Sequence, residues 1–349
     1  MTRLADLRGH TAQLAAIRRM LGRQHPIHAL LLVGPDGVGK TTLANAMAAA
    51  RCCLQPTEDA DACGACRSCH ALLRGEHPDI QFVRREGQGI KIDMVRDATK
   101  RLRYDPVLGR AKVLVVEEAD RLREEAGNAL LKTLEEPPGN TLFLLVSSRP
   151  QLLLDTIRSR CQSLRLGPLG AADLEAILLA EGREPALVRL ASSLADGSLT
   201  AARLRAEPSW RPVLERLVAF GLSFGSHVLG SEVDFVQELA ALLAAAESEG
   251  EGGGAKSKGP SRDGLQWTVD ALRALLRDAL LVSAGVDPRT LPHAPWADGL
   301  RILADRAGTD GLARALDALD VRDASLVLNP QTSLALEHLL VELGTACEG

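Results

Sequence analysis

The sequence predicts an α/β domain built on a parallel sheet, followed by a region made of helices alone. Three observations carry that expectation. Short apolar runs alternate with helical patterns as far as residue 167, which is the signature of a parallel sheet covered by helices. A glycine-rich phosphate loop sits between the first of those runs and the helix after it. Beyond Pro168 the strand patterns stop, and only helical spacing recurs.

Residues 11–22 place Leu14, Ile17 and Leu21 at helical spacing, with Gly22 as a stop. Ala29–Val33 is a short apolar run, read as a buried parallel strand. The phosphate loop follows it, and then a helix over 41–53. Cysteines between 53 and 69 interrupt the pattern, and residues 91–103 resume a helix. Lys112–Val116 reads as a second buried strand, followed by acids and a helix that ends before Pro137-Pro138. Residues 141–146 read as a third strand, and residues 161–166, ending at Gly167-Pro168, as a fourth. Two short helices at 171–181 and 184–195 form a small second domain. From Pro208 onward, helices are expected at 210–224, 232–247, 265–284, 296–305, 310–320 and 331–344. The polar, glycine-rich stretch 247–264 cannot bury a core and is expected to be a disordered loop between two of them. The expected domains are therefore 1–167, with an insertion at 53–69, then 168–207 and 208–349.

The bulk composition excludes several functions. The chain has 349 residues and a net charge of −4, which argues against coating nucleic acid by bulk charge. Aromatic content of 3% makes stacking on single-stranded bases an unsuitable main mode. No apolar run reaches membrane-spanning length, and the polar start MTRLADLRGH lacks a signal-peptide core. A cytoplasmic protein with no membrane partner is expected. Clustered cysteines in a reducing compartment suggest metal ligation rather than disulfides.

The phosphate loop matches G-x-x-x-x-G-K-[ST] over Gly34, Pro35, Asp36, Gly37, Val38, Gly39, Lys40 and Thr41, with Thr42 next. Its glycines let backbone N–H groups turn onto phosphates. Lys40 would reach the terminal phosphates, and the Thr41 hydroxyl would ligate Mg²⁺. The helix N-terminus that follows also faces the anion. The expected cofactor is ATP or ADP with Mg²⁺.

The second strand delivers Glu117-Glu118-Ala119-Asp120. In a P-loop ATPase the first acid positions Mg²⁺ through water and the next polarises the attacking water. Glu117 stands where Asp is the usual choice, and its extra methylene moves the carboxylate by about 1.5 Å. Glu118 is the candidate for the second role, in a site expected to turn over weakly or not at all. The plainer reading is a solvated acidic turn at a helix start.

The cysteines are spaced Cys53-x9-Cys63-x2-Cys66-x2-Cys69. Such spacing suits a closed tetrahedral thiolate site for structural Zn²⁺, with Gly64 and Ser68 read as residues of the tight turns between ligands. Cys52 competes with Cys53 for the fourth position, and His70 does so more weakly. An iron–sulfur cluster also matches the count, and buried free thiols are the plain alternative. Cys161 and Cys347 stand apart. Ser159-Arg160-Cys161 follows the third strand. A lone arginine there is usually solvated or ion-paired, and only a partner with bound nucleotide would make it an arginine finger.

In this order the motifs resemble the bacterial DNA polymerase III clamp-loader family of AAA+ proteins, over nearly the whole chain. The P-loop preceded by His28-Ala-Leu-Leu-Leu-Val, the four-cysteine insertion, Asn128-Ala-Leu-Leu-Lys-Thr-Leu-Glu-Glu-Pro-Pro138, the Ser159-Arg160-Cys161 triplet and Asn329-Pro-Gln-Thr-Ser-Leu-Ala-Leu-Glu-His338 carry the resemblance. It implies a RecA-like ATPase domain, a small helical lid and a C-terminal helical collar. It also implies a hetero-pentamer with gamma/tau and delta subunits that opens a sliding clamp and places it on primer-template DNA, within the polymerase III holoenzyme. In that setting Arg160 would act on ATP held by the neighbouring subunit. Four features resemble the delta-prime type: Gly89-Ile-Lys-Ile-Asp-Met-Val-Arg96, Glu117 in place of Asp, Thr200 where ATPase subunits carry an arginine, and the chain's ending at the collar. Arg203 and Arg205 lie close by, on other faces of a helix. The alternative within the family is a gamma/tau-type ATPase subunit. No polymerase active site is expected in this chain.

Overall fold

A computed structural model describes residues 2–22, 27–87, 89–225, 231–249, 262–328 and 332–347. Contacts divide the chain into two compact units, Met1–Asp173 with Gly197–Thr200, and Leu174–Asp196 with Ala201–Gly349.

The first unit holds a five-stranded sheet in the order β2-β3-β4-β1-β5, every neighbouring pair parallel. The strands are β1 (Ala29–Val33), β2 (Ile80–Val83), β3 (Lys112–Val116), β4 (Thr141–Ser147) and β5 (Gln162–Arg165). Its helices are α1 (Thr11–Leu21), α2 (Lys40–Cys52), α3 (Arg67–Leu73), α4 (Ile92–Arg101), α5 (Glu124–Glu135) and α6 (Asp155–Arg158). This is the parallel α/β layer that the sequence predicts.

The three central strands are buried along their full length, which is why they read as unbroken apolar runs. Alternate residues feed two separate cores. Leu30, Leu32, Val113, Val115, Leu142 and Leu144 pack with Leu14, Ile17, Leu43 and Met47 from α1 and α2. Leu31, Leu114, Val116, Phe143 and Leu145 pack with Val95, Leu130 and Leu134 from α4 and α5. Each such side chain contributes about 1.5–3 kcal/mol on burial, so the sheet plane is strongly fixed.

One strand corrects the sequence reading. Ile80–Val83 pairs with β3 at the sheet edge, so Lys112–Val116 is the third strand in the chain and not the second. Its four residues are too few to display a period, and Gln81 breaks the apolar run.

Three further helices follow, α7 (Ala171–Ala180), α8 (Pro185–Ser193) and α9 (Leu199–Arg205), where the sequence pattern separated only two. The rest of the second unit is α10 (Arg211–Gly221), α11 (Ser231–Glu249), α12 (Arg262–Ser283), α13 (Ala297–Leu328) and α14 (Thr332–Ala346). The break expected between 305 and 310 is a kink in α13 at Gly308, with φ 62° and ψ 176°. The core gathers the scarce aromatics. Trp210 and Trp267 meet edge to face at 4.9 Å, and Phe220 stacks on Phe235 at 3.8 Å. A fully buried Asp278 accepts from His293 Nδ1 at 2.7 Å and pairs with Arg277 at 3.1 Å. Of the loop expected at 247–264, residues 250–261 lie outside the described residues; 247–249 end α11 and 262–264 begin α12. Residues 329–331 of the Asn329–His338 stretch are likewise outside them.

Candidate functional site: phosphate loop and cysteine cluster

The phosphate loop turns out of β1 and runs into α2. Gly37 takes φ +78°, and a side chain there would meet the Ser198 hydroxyl at 2.0 Å. The segment after Gly197 is held on the loop by a Leu199 N–H donating to the Gly37 carbonyl at 2.8 Å. Val38 is buried, and its carbonyl lies 3.0 Å from His10 Nε2.

Lys40 is almost fully buried at the start of α2. Its ammonium donates to the carbonyls of Gly34 (2.9 Å) and Pro35 (2.5 Å) and to Ser148 Oγ (3.0 Å), with Asp36 at 3.7 Å. The loop's own oxygens thus stand where phosphate oxygens would be. Burial lowers the Lys40 pKa, and the charges of Asp36 and Asp120 oppose the shift. Thr41 and Thr42 lie half-buried in the first turn of α2.

Glu117 and Glu118 emerge from β3 beside residues the sequence reading did not single out. Parallel pairing of Val83 with Val116 places the next residues opposite each other. Arg84 Nε donates to Glu117 Oε1 at 2.9 Å, and Arg85 lies 2.8 Å from Glu118 Oε2. Glu118 itself takes a left-handed backbone, φ 48° and ψ 51°. Finding these two arginines requires knowing both that β2 exists and how it is registered. Asp120 is buried, where it accepts from Ser147 Oγ at 2.7 Å and the Ser148 N–H at 3.2 Å. These contacts tie the end of β3 to the end of β4.

Thr200 lies beside Gly37, its Cβ 3.2 Å from where a Gly37 side chain would begin. Arg203 is paired with Glu181 at 2.6 Å, and Arg205 donates to the Leu194 carbonyl.

The cysteine cluster is assembled from the end of α2, a turn and α3. Cys53 follows α2; Cys66 caps α3; Cys69 lies within it. Gly64 turns the chain between ligands at φ +76°. Ser68 corrects the expectation of a turn residue: it is buried in α3, where its hydroxyl donates to the Cys52 carbonyl and meets His77 Nε2.

The ligand atoms of Cys53, Cys63, Cys66 and Cys69 all lie within 4.8 Å of one another. The sulfurs are 3.8 Å apart for Cys53–Cys69, 3.9 Å for Cys53–Cys66 and 4.0 Å for Cys63–Cys69. A tetrahedron with metal–sulfur bonds of about 2.3 Å requires sulfurs about 3.8 Å apart, so the four thiols fit one metal ion. A multi-iron cluster would hold them further apart. N–H groups of Cys63, Ala65 and Cys66 point at the sulfurs of Cys53 and Cys63. Burial raises the Cys66 thiol, yet N–H donors from Cys69 and Leu54 outweigh it and bring it down to about 6. Cys52 is excluded from the cluster. Its thiol donates to the Ala111 carbonyl at 3.2 Å, and burial pushes its pKa up. His70 is exposed. Cys161 and Cys347 are buried, their thiols pushed up to about 11 by that burial.

Arg160 follows α6. Its guanidinium pairs with Glu135 at 2.6 Å, at the end of α5, and donates to the Thr156 carbonyl at 3.0 Å.

Residues 9–170 match the family model described as DNA polymerase III, delta subunit. The DNA polymerase III subunit delta' of Pseudomonas aeruginosa is 41% identical over 201 residues, 56% of this chain and 61% of that one. The subunit delta' of Escherichia coli is 42% identical over 149 residues, 42% of this chain and 44% of that one. The DNA polymerase III subunit tau of Salmonella typhimurium is 38% identical over 203 residues, 56% of this chain and 31% of that one. The chain thus spans less than two thirds of the length of these relatives. Residues 9–170 contain the phosphate loop, the cysteine cluster and the Ser159-Arg160-Cys161 triplet, and over that segment the chain is similar to the delta and delta-prime subunits of DNA polymerase III.

Proposed function

We propose that this chain works as a delta-prime-type subunit of a clamp loader, supplying Arg160 to ATP bound on a neighbouring gamma/tau subunit. The observation that carries this reading is the separation of roles within the first unit. Residues 34–42 have the backbone and lysine to cradle phosphates, while the two acids that would complete hydrolysis are engaged by Arg84 and Arg85. Arg160 has its contacts elsewhere, with Glu135 and Thr156, and is one third exposed. Its guanidinium is therefore available to a second molecule at the cost of one surface ion pair, worth about 0–1 kcal/mol.

On this reading the phosphate loop holds ATP or ADP, with Gly34–Thr42 as the cradle, and Glu118 is not an active base. The metal at Cys53, Cys63, Cys66 and Cys69 is structural Zn²⁺, whose binding energy is folding energy. Residues 168–207 act as the lid and residues 208–349 as the collar that joins gamma/tau and delta subunits in the hetero-pentamer. The assembled, cytoplasmic loader places a sliding clamp on primed DNA. Among the described residues no helix is long and apolar enough to cross a membrane.

Arginine fingers contribute about 10³–10⁵ in rate in the best-studied phosphoryl transfers. Arg160→Ala is expected to lower the DNA-stimulated ATPase of the reconstituted loader at least tenfold, with assembly unchanged by gel filtration. An unchanged ATPase would remove the role. The complete phosphate loop and the 38% identity to a tau subunit favour one second reading, a gamma/tau-type ATPase. Robust ATP turnover by the isolated chain would select it.

A further inference from the structure

We infer that Arg84 is a fixed cation in place of the divalent metal's water shell, so that this phosphate loop binds nucleotide without Mg²⁺. The inference rests on reading residues 34–42 as a nucleotide site. The fold implies a Mg²⁺ held by the Thr41 hydroxyl and, through water, by the first acid after β3. Thr41 fits that role. The acid does not, for three reasons.

First, Glu117 is only one fifth exposed, and Oε1 already accepts from Arg84 Nε at 2.9 Å. Second, the arginine is placed by the sheet itself. Residues 83 and 116 are paired in the parallel register, and the Glu117 N–H donates to the Val83 carbonyl at 2.9 Å, so residue 84 is delivered beside residue 117. The guanidinium also lies over the Phe82 ring at 5.0 Å, a cation–π contact that restricts its alternatives. Third, the same register sets Arg85 against Glu118, and Arg85 is braced by the Gly87 carbonyl at 3.1 Å. Mg²⁺ demands near-ideal octahedral geometry and keeps several waters. A hydrated ion held through Glu117 would have to compete for a carboxylate that Arg84 already engages. A nucleoside di- or triphosphate carries its own negative charge, and meets Lys40 and the N-terminus of α2 with no such obstacle.

The pair is solvent-facing on the Arg84 side, 63% exposed, which bounds the effect. Exposed ion pairs are worth at most about a fivefold change in an equilibrium. Calorimetric titration of the whole chain with ADP, once with millimolar Mg²⁺ and once after dialysis into Mg²⁺-free buffer without chelator, reads the effect directly. Wild-type affinity is expected to change by less than about twofold between the two buffers. Arg84→Ala is expected to acquire an Mg²⁺ dependence of about fivefold, and Arg84→Lys, which keeps the charge, to stay close to wild type. Thermal melting unchanged from wild type shows that the variants are folded. A wild type that binds ADP only with Mg²⁺, or an Arg84→Ala that stays indifferent to it, overturns the inference. Absence of ADP binding in both buffers overturns something earlier, the nucleotide-site reading itself, and the inference falls with it.

Discussion

Asp79 presents one buried carboxylate to three backbone N–H groups, those of Val107, Leu108 and Gly109, at 2.6–2.7 Å. That single side chain pins the loop between α4 and β3, which also carries the exposed Tyr104 and Val107. Charge-assisted bonds are roughly twice as strong as neutral ones, and removal of the carboxylate takes the acceptor from three part-buried N–H groups at once. Asp79→Ala is expected to destabilise the first unit by about 2–4 kcal/mol, read as a lower urea midpoint at unchanged slope. Asp61 does similar work for the N-terminus, accepting from Leu4 and Ala5 at 3.0 and 2.8 Å. Residues of this kind show why sites differ in legibility. Gly34 to Thr42 could be read from sequence because a phosphate loop is local, its parts separated by one or two residues. Asp79, Asp61, Arg84 and Arg85 act on partners dozens of positions away, and nothing in their neighbourhood in sequence announces it. The choice between Cys52 and Cys53 was likewise undecidable from spacing. It is settled by the end of α2, after which Cys53 turns toward the cluster while Cys52 stays buried against Ala111.

At the scale of elements, the cysteine module is a turn and a seven-residue helix, α3, with a core cluster of few residues. A helix that short is not stable alone, and its order depends on what ties its ends. The sulfur geometry fits a metal ion as the tie. The purified chain is expected to contain about one zinc. Cys66→Ser is expected to lose it and to expose residues 53–69 to proteolysis, a fully folded metal-free wild type being the contrary result. Because the ligands must be thiolates, retention is expected to weaken as pH falls, read as zinc released on acid titration. Elements were read best where burial made them simple. β1, β3 and β4 are central, buried throughout and mostly apolar, and the sequence pattern gives nearly their true bounds. β2 and β5 are edges with exposed or polar residues. β2 was missed because edge strands are short and mixed, and their existence is decided by a neighbour rather than by their own pattern.

At the scale of the whole molecule, three large cores among the described residues each lie within one unit or the other. The two faces of the sheet belong to the first, and the cluster running from Leu187 to Cys347 to the second. Separate cores permit separate cooperative transitions. Calorimetry is expected to resolve two, with removal of zinc lowering only the one that belongs to the first unit. A single transition shifted as a whole would contradict this. The aromatic distribution described for the second unit has an optical consequence. Trp210, Trp267 and Trp296 are the chain's three tryptophans, and all lie in that unit. Intrinsic emission is therefore a private signal of the helical half. The sheet-bearing half, with the cysteine module inside it, is dark at those wavelengths, and its unfolding must be followed by circular dichroism or by a tryptophan placed there on purpose.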